Sequence, residues 1–394
     1  MNVLVLNCGS SSAKFAVLDA ATGEEHLSGN AQRLNSNEAT LDWKHGGQKH
    51  SRPLPGADHG VALRAALEQM SAAGLTASLA GVGHRVVHGG SRFSASTRVT
   101  PDVLKGIEAC IPLGPLHNPP NLEGIRVAQE LLPSLPQVAV FDTAFHQTMP
   151  ARAYTYPVPL EWLAQHEVRR YGFHGTSHRY VAGRAQALLG VNPDQGALLI
   201  AHLGNGCSAT AVLNGQSVDT TMGLTPLEGL VMGTRSGSVD PALVGHVARA
   251  SGQTADQVLD ALNKKSGLLG LSGLSNDMRT LEAAAAEGHE RARLALEVFC
   301  FVLARQLAGL VVSLGRLDAL VFTGGIGENS TLVREAVLGH LGFLGLALDP
   351  VANLKAVRGQ GGRITSSTTP QALVVPTNEE LMIAIDTAQL VSTS

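Results

Sequence analysis

Apolar positions fall in two patterns along the chain. Short apolar runs rich in β-branched residues and bounded by turn residues predict strands over 3–7, 14–19, 82–87, 137–141, 197–203, 208–213, 319–323 and 373–375. Apolar residues recurring at helical spacing predict helices over 61–72, 122–132, 177–189, 241–250, 255–264, 278–286, 292–314, 332–341 and 379–390. Their alternation is that of an α/β protein whose sheets are covered by helices. At 394 residues the chain exceeds what one core usually holds, so two domains with a cleft between them are expected. The proline- and tyrosine-rich stretch 150–159 lacks periodicity and is read as the crossing, giving domains 1–149 plus 381–394 and 150–380. The opening MNVLVLN has no basic flank or cleavage site and reads as a folded-in strand, not a leader. LVLNCGSSSAKFAVLD near the start and LIAHLGNGCSATAVLNG after Leu198 share one layout of strand, polar turn and strand, which suggests an internal duplication.

Composition narrows the function. Lysine and arginine number 29 against 32 acidic residues with no block of one sign, which argues against nucleic acid or an anionic membrane as partner and for a small ligand. Cys8, Cys110, Cys207 and Cys300 are scattered without CxxC spacing and read as reduced thiols of a cytoplasmic protein. No HExxH occurs, and His174 with His178 alone is weak ground for a metal. With 44 glycines, the chain implies many tight backbone turns.

Three of those turns suit phosphate. Asn7 to Lys14 combines small residues that free backbone N–H groups, the hydroxyls of Ser10 and Ser12, and the Lys14 charge. It joins two strands and is not a GxxxxGKS/T loop; a plain polar β-turn is the competing reading. His202, Leu203, Gly204, Asn205 and Gly206 form a similar turn. Gly324 to Asn329 follows a strand and precedes a helix, where α/β folds bind nucleotides. Ser330 stands where GxGxxG needs Gly or Ala and no acidic ribose ligand follows, so ATP is favoured over a dinucleotide. Arg85, inside an apolar strand, needs an anionic partner, either a protein carboxylate or a ligand. His174 precedes a helix for which Thr176 or Ser177 is the expected cap, and Arg235 sits among glycines in a loop that reads as a flexible anion contact. Asp142 ends a strand, at the edge where catalytic groups of parallel sheets collect; a helix cap is its alternative role.

Taken in order, NCGSSSAKF, GHRVVHGG, LHNPPNLEGI, FDTAFH, GFHGTSHRYV, HLGNGCSATA, MGTRSG, TGGIGEN and PTNEEL resemble the acetate kinase family from end to end. The resemblance implies two related actin-like ATPase (ribonuclease H-like) α/β domains around a nucleotide cleft, paired as a cytoplasmic homodimer. It implies Mg²⁺-dependent transfer of the ATP γ-phosphoryl group to acetate, with Mn²⁺ as a possible substitute. By motif, Asn7 and Glu379 match the metal positions. Lys14, His202, Leu203, Gly204, Asn205, Gly206, Asp277, Met278, Arg279, Gly325, Ile326, Gly327, Glu328 and Asn329 match the nucleotide contacts. Arg85 matches the acid-binding arginine, Asp142 the active-site acid, and His174 and Arg235 the transition-state groups. Val87, Leu116, Phe173 and Pro226 match the walls of the alkyl pocket, with His117 in support. Ser238 and the middle of SGLSNDMR depart from the family wording without touching these positions.

Such residues suit the chemistry, because a carboxylate approaching a triphosphate meets charge repulsion that cations must offset. The acid is already ionised at neutral pH, so Asp142 is better read as a positioning or metal-linked group than as a base. A propionate or butyrate kinase is the main rival, since one methylene discriminates by only ~1–3 kcal/mol. A nucleotide-driven switch on the same fold is a distant third.

Overall fold

The computed structural model describes residues 1–393. It divides into two compact units, one of Met1–Phe145 with the chain from Asn378 onward, the other of His146–Thr377. The divisions fall a few residues before those expected at 149/150 and 380/381. The second does so because Asn378 caps the last helix, Glu379–Ser392, by accepting a hydrogen bond from the Leu381 N–H, and this helix packs on the first unit's sheet. Glu379 therefore belongs to the first unit, not the second.

The first unit is built on strands β1 (Asn2–Gly9), β2 (Ser12–Asp19), β3 (Glu25–Gln32), β4 (Thr40–His45), β5 (Gln48–Pro53), β6 (Leu79–Val86), β7 (Thr97–Arg98) and β8 (Gln137–Phe141), in the order β5-β4-β3-β2-β1-β6-β8-β7. β1 pairs antiparallel with β2 and parallel with β6, and β6 runs parallel to β8. The period-two alternation of a strand sends Leu4, Leu6 and Cys8 toward the core containing the helix His59–Ala72, and Val3 and Val5 toward Ile383 and Ala384 of the last helix. Burial on both faces explains the unbroken apolar run of β1. β3 to β5 were not expected. Their residues are largely polar, β5 is exposed throughout, and only the β4–β5 turn at Gly46-Gly47, both at positive φ, signals a hairpin.

The second unit is built on β9 (Ala197–Leu203), β10 (Cys207–Leu213), β11 (Gln216–Thr220), β12 (Ala319–Thr323), β13 (Gly362–Arg363) and β14 (Gln371–Val374), in the order β11-β10-β9-β12-β14-β13. β9 pairs antiparallel with β10 and parallel with β12, and β12 runs parallel to β14. The series β3-β2-β1-β6-β8 and β11-β10-β9-β12-β14 thus repeat one pattern, an antiparallel meander continued by parallel strands. This is the two-fold α/β layout that the sequence echo suggested. The helix Glu290–Leu314 has the length and apolar composition of a membrane span, with a mean hydropathy of 1.9, but it packs on β9 to β11 and buries Phe299, Leu303 and Leu307.

Two local expectations fail. The helix Gly175–Leu189 is capped by neither Thr176 nor Ser177: His174 itself is the N-cap, held in the left-handed region at φ 56° without a side-chain cap bond. The glycine cluster after β12 is not a loop but a short helix, Gly324–Asn329. Its first residue has φ 76°, and a Cβ there would lie 2.7 Å from the Leu203 carbonyl oxygen, so only glycine fits.

Candidate active site

In the first unit the carboxyl ends of β6 and β8 bring Arg85 and Asp142 together. Arg85 donates from Nε to Asp142 Oδ1 at 3.0 Å and from Nη2 to Oδ2 at 2.6 Å, a bidentate fork on a nearly inaccessible carboxylate. The partner that the buried strand position demanded is therefore a protein carboxylate, Asp142. Glu379 adds a second carboxylate with Oε2 3.8 Å from Arg85 Nε. Burial opposes the Arg85 charge, but Asp142 and then Glu379 more than offset it and hold the guanidinium above its ordinary range. Burial, aided by Asp142 and Glu380, raises the Glu379 carboxyl, while Arg85 and Lys14 pull it down.

Asn7 and Lys14 are cross-strand partners in the β1–β2 hairpin, on the face of β1 that carries Val3 and Val5. Both line a groove of about 670 Å³ that also includes Asn378 and Glu380. Lys14 and Ser10 are exposed, and Ser12 is half-buried. Val87 is half-buried, whereas Leu116, expected to wall an apolar pocket, is 65% exposed. His117 precedes the helix Asn118–Leu131. Two residues that sequence reasoning did not single out hold this edge. Asn121 accepts from the Val87 N–H and donates to the Cys8 carbonyl, tying the end of β6 to that of β1. Asn118 accepts from the His88 N–H and donates to the His88 carbonyl. Their signal was their place inside the LHNPPNLEGI motif.

In the second unit four histidines, His146, His174, His178 and His202, gather beside the β9–β10 turn. Rings of His174 and His202 are 4.5 Å apart, and those of His146 and His178 5.7 Å. Ser208 Oγ lies 2.9 Å from His174 Nδ1 and 2.7 Å from His178 Nε2. Ser177 Oγ lies 2.8 Å from His202 Nδ1, and His146 Nε2 donates to the Phe173 carbonyl at 2.9 Å. Complete burial drives the His178 pKa well below the usual histidine range, with His146 and His202 adding to the effect.

Arg235 is less mobile than its glycine-rich surroundings suggested. Its backbone carbonyl accepts from the Met232 N–H, and its Nη1 donates to the Pro226 carbonyl at 3.2 Å. No carboxylate among the described residues pairs with it, and burial lowers its pKa. A Cβ built on Gly206 would lie 3.4 Å from both Arg235 Nη1 and His174 Cε1, so a cation and an imidazole flank the same turn. Phe173 is buried and Pro226 half-buried.

A cavity of about 850 Å³ in this unit unites three segments named from sequence: Gly204 and Asn205; Asp277, Met278 and Arg279; and Gly325, Ile326 and Asn329. Asn276 bridges the first two by donating to Asn205 Oδ1 at 3.0 Å, and Arg358, absent from the expectation, donates its backbone N–H to Asn329. Asp277 caps the helix Met278–Ala286 and pairs with Arg279 at 2.7 Å; the hydrogen bond from Arg279 lowers the Asp277 carboxyl to about 2. The structure leaves other expected members outside this cavity. The side chains of Leu203 and His202 are buried, Gly327 packs against Phe322, and Glu328 accepts from the Gly324 and Thr377 N–H groups. Lys14 lies in the other unit.

No group of three or more His, Cys, Asp or Glu among the described residues is arranged to hold a metal. The four cysteines are buried and form no disulfide, and burial pushes Cys8, Cys207 and Cys300 up to about 12, so those three thiols are unreactive.

Comparison with known proteins gives the family. The profile of the acetokinase family matches residues 2–385. The acetate kinase of Ectopseudomonas mendocina is 57% identical over 391 residues, covering 99% of this chain and 98% of that protein. The acetate kinase of Deinococcus radiodurans is also 57% identical, with the same coverage. Among solved structures, Porphyromonas gingivalis acetate kinase superposes with a TM-score of 0.94 at 42% identity, over 99% of each chain. A propionate kinase from Francisella tularensis reaches 0.94 at 43% identity, over 98% of this chain and 99% of its own.

Proposed function

The chain belongs to the acetokinase family and is a phosphotransferase, and from that premise we infer that it moves the γ-phosphoryl group of ATP reversibly onto acetate, giving acetyl phosphate and ADP. The observation that carries this reading is the near-complete alignment, at 57% identity, with proteins named acetate kinase. A propionate kinase of the same family superposes as well, but relatives at the higher identity favour acetate.

Arg85 is the group that receives the acetate carboxylate. Asp142 occupies its Nε and one side of Nη2, and the remaining guanidinium donors are left for a second carboxylate. The adenine nucleotide occupies the cavity lined by Asn205, Asp277 and Gly325. Lys14, His174 and Arg235 stabilise the charge that spreads over the phosphoryl oxygens during direct in-line displacement.

A magnesium ion fits the residues of the first unit. Asn7, Asp142 and Glu379 offer oxygen donors, the kind a hard cation prefers, and a dication would offset both the burial that chiefly raises the Glu379 carboxyl and the lesser repulsion from Asp142 and Glu380. Magnesium is usually held by one or two carboxylates together with substrate phosphates, so a dense protein cage is not required. Bound there, the ion would neutralise phosphate charge, with Mn²⁺ a chemically similar substitute. We place the enzyme in the cytoplasm as a homodimer; a monomeric mass by light scattering would remove the second part.

A hydroxylamine trap for acyl phosphate tests the whole reading. With ATP and Mg²⁺, acetate should give the strongest signal, propionate a weaker one and glycerol none. Stronger turnover of propionate or butyrate would reassign the acceptor, and ATP hydrolysis independent of any acceptor would favour a nucleotide switch.

A further inference from the structure

Ser208 stands between two imidazoles with a single proton to give. Its hydroxyl is fully buried on β10, 2.9 Å from His174 Nδ1 and 2.7 Å from His178 Nε2. His178 is itself wholly buried, and its other nitrogen, Nδ1, has no hydrogen-bond partner. A neutral imidazole carries one N–H. If His178 held it on Nδ1, a donor would be buried without an acceptor, and orphaned N–H groups are the rarer and costlier kind. The proton therefore sits on His178 Nε2 and is donated to Ser208 Oγ. Were His174 also to donate, through an Nδ1–H, the Ser208 proton would be left without an acceptor in a dry site, which is costly. The arrangement that pairs every proton runs one way, from His178 to Ser208 to His174.

From this chain we propose that Ser208, oriented by His178, is a positioning residue that holds His174 as the Nε2–H tautomer. His174 then meets the phosphoryl group as a hydrogen-bond donor and not as an acceptor. The donor lies beside the β9–β10 turn, where a Cβ on Gly206 would sit 3.5 Å from His174 Nε2 and 3.4 Å from Arg235 Nη1. The constraint matters because His174 is an N-cap whose backbone lies in the left-handed region, so its side chain does not take the direction of a helical residue although its carbonyl accepts the His178 N–H. The catalytic half of this inference rests on the role given to His174 above, whereas the tautomer does not.

Long-range ¹H–¹⁵N spectra of the ¹⁵N-histidine protein, with His174 assigned by its loss in His174→Gln, read the tautomer directly. The wild type should show Nε2–H at His174, and Ser208→Ala should show a mixture. In Ser208→Ala, kcat should fall about 10–100-fold while both KM values stay within about threefold, the size typical of lost outer-shell support. An Nδ1–H tautomer in the wild type would overturn the proposal without any variant, even if Ser208→Ala fails to fold. So would a folded Ser208→Ala with unchanged tautomer and kcat. A fully active His174→Ala would instead remove the catalytic role of His174 and leave the spectra to judge Ser208.

Discussion

Two arginines show how differently the two units prepare for negative charge. Arg85 in the first unit is saturated on one edge by Asp142, has Glu379 nearby, and is held strongly protonated. Arg235 in the second is half-buried, its guanidinium donates to the Pro226 carbonyl and the Met232 sulfur with no carboxylate partner among the described residues, and burial works against its charge. A buried cation without a carboxylate is costly unless an anion arrives, whereas a paired cation is already stable. Under the proposed function the difference suits them to different work: Arg235 to the charge that appears in the reaction, and Arg85 to holding a ground-state carboxylate in place.

Removing Arg235 is the strongest way to break the comparison. Arg235→Ala should lower kcat by about 10³-fold, or ~4 kcal/mol of barrier, with KM for acetate and ATP changed only a few-fold. Its stability should change little, since no carboxylate is stranded. Steady-state kinetics showing collapse of both KM values instead would make Arg235 a ground-state binding group like Arg85. Next in size comes Arg85→Ala, which should raise the KM for acetate about 10–100-fold while leaving that for ATP nearly constant. It also strands Asp142, so urea unfolding should reveal a loss of about 2–3 kcal/mol, discounted from the ~3–5 typical of a fully buried pair because Arg85 is 22% exposed. An unchanged acetate KM would show that Arg85 only supports Asp142.

The same contrast marks what could be read from sequence. β1, β8, β9 and β12 were legible because burial on both faces writes an uninterrupted apolar run. β3 to β5 were not, because a largely polar meander leaves no period, and the short helices Gly267–Ser272 and Pro350–Lys355 are too brief to show one. Residue types at the site were legible for the same reason: an arginine inside an apolar strand demands a partner. Which partner was not, since Asp142 reaches Arg85 through the pairing of β6 with β8 and Glu379 through the packing of a distant helix. The His174 cap was missed because a left-handed histidine has no sequence signature, whereas Thr176 and Ser177 carry a familiar but false one.

The smallest effect sharpens the comparison within the first unit. If carboxylate crowding is kept there for function, relieving it should stabilise the fold. The Glu379 carboxyl titrates higher in the folded protein than when unfolded, so in the window between those values the native state binds more protons. Stability contributed by this group is therefore present below the unfolded value, about pH 4.3, and is lost as pH rises through the folded one. Glu379→Gln removes the titration. The variant should unfold at higher urea than wild type at pH 7, and the gain should vanish near pH 4. Buried His84, held down at about 4, and His178 push the opposite way on acidification, but they occur in both proteins and cancel in the difference. Activity should fall while stability rises. A variant less stable than wild type at pH 7 would mean that the attraction of Glu379 to Arg85 outweighs its burial and its repulsion by Asp142, leaving the cluster as a scaffold rather than a site held under strain.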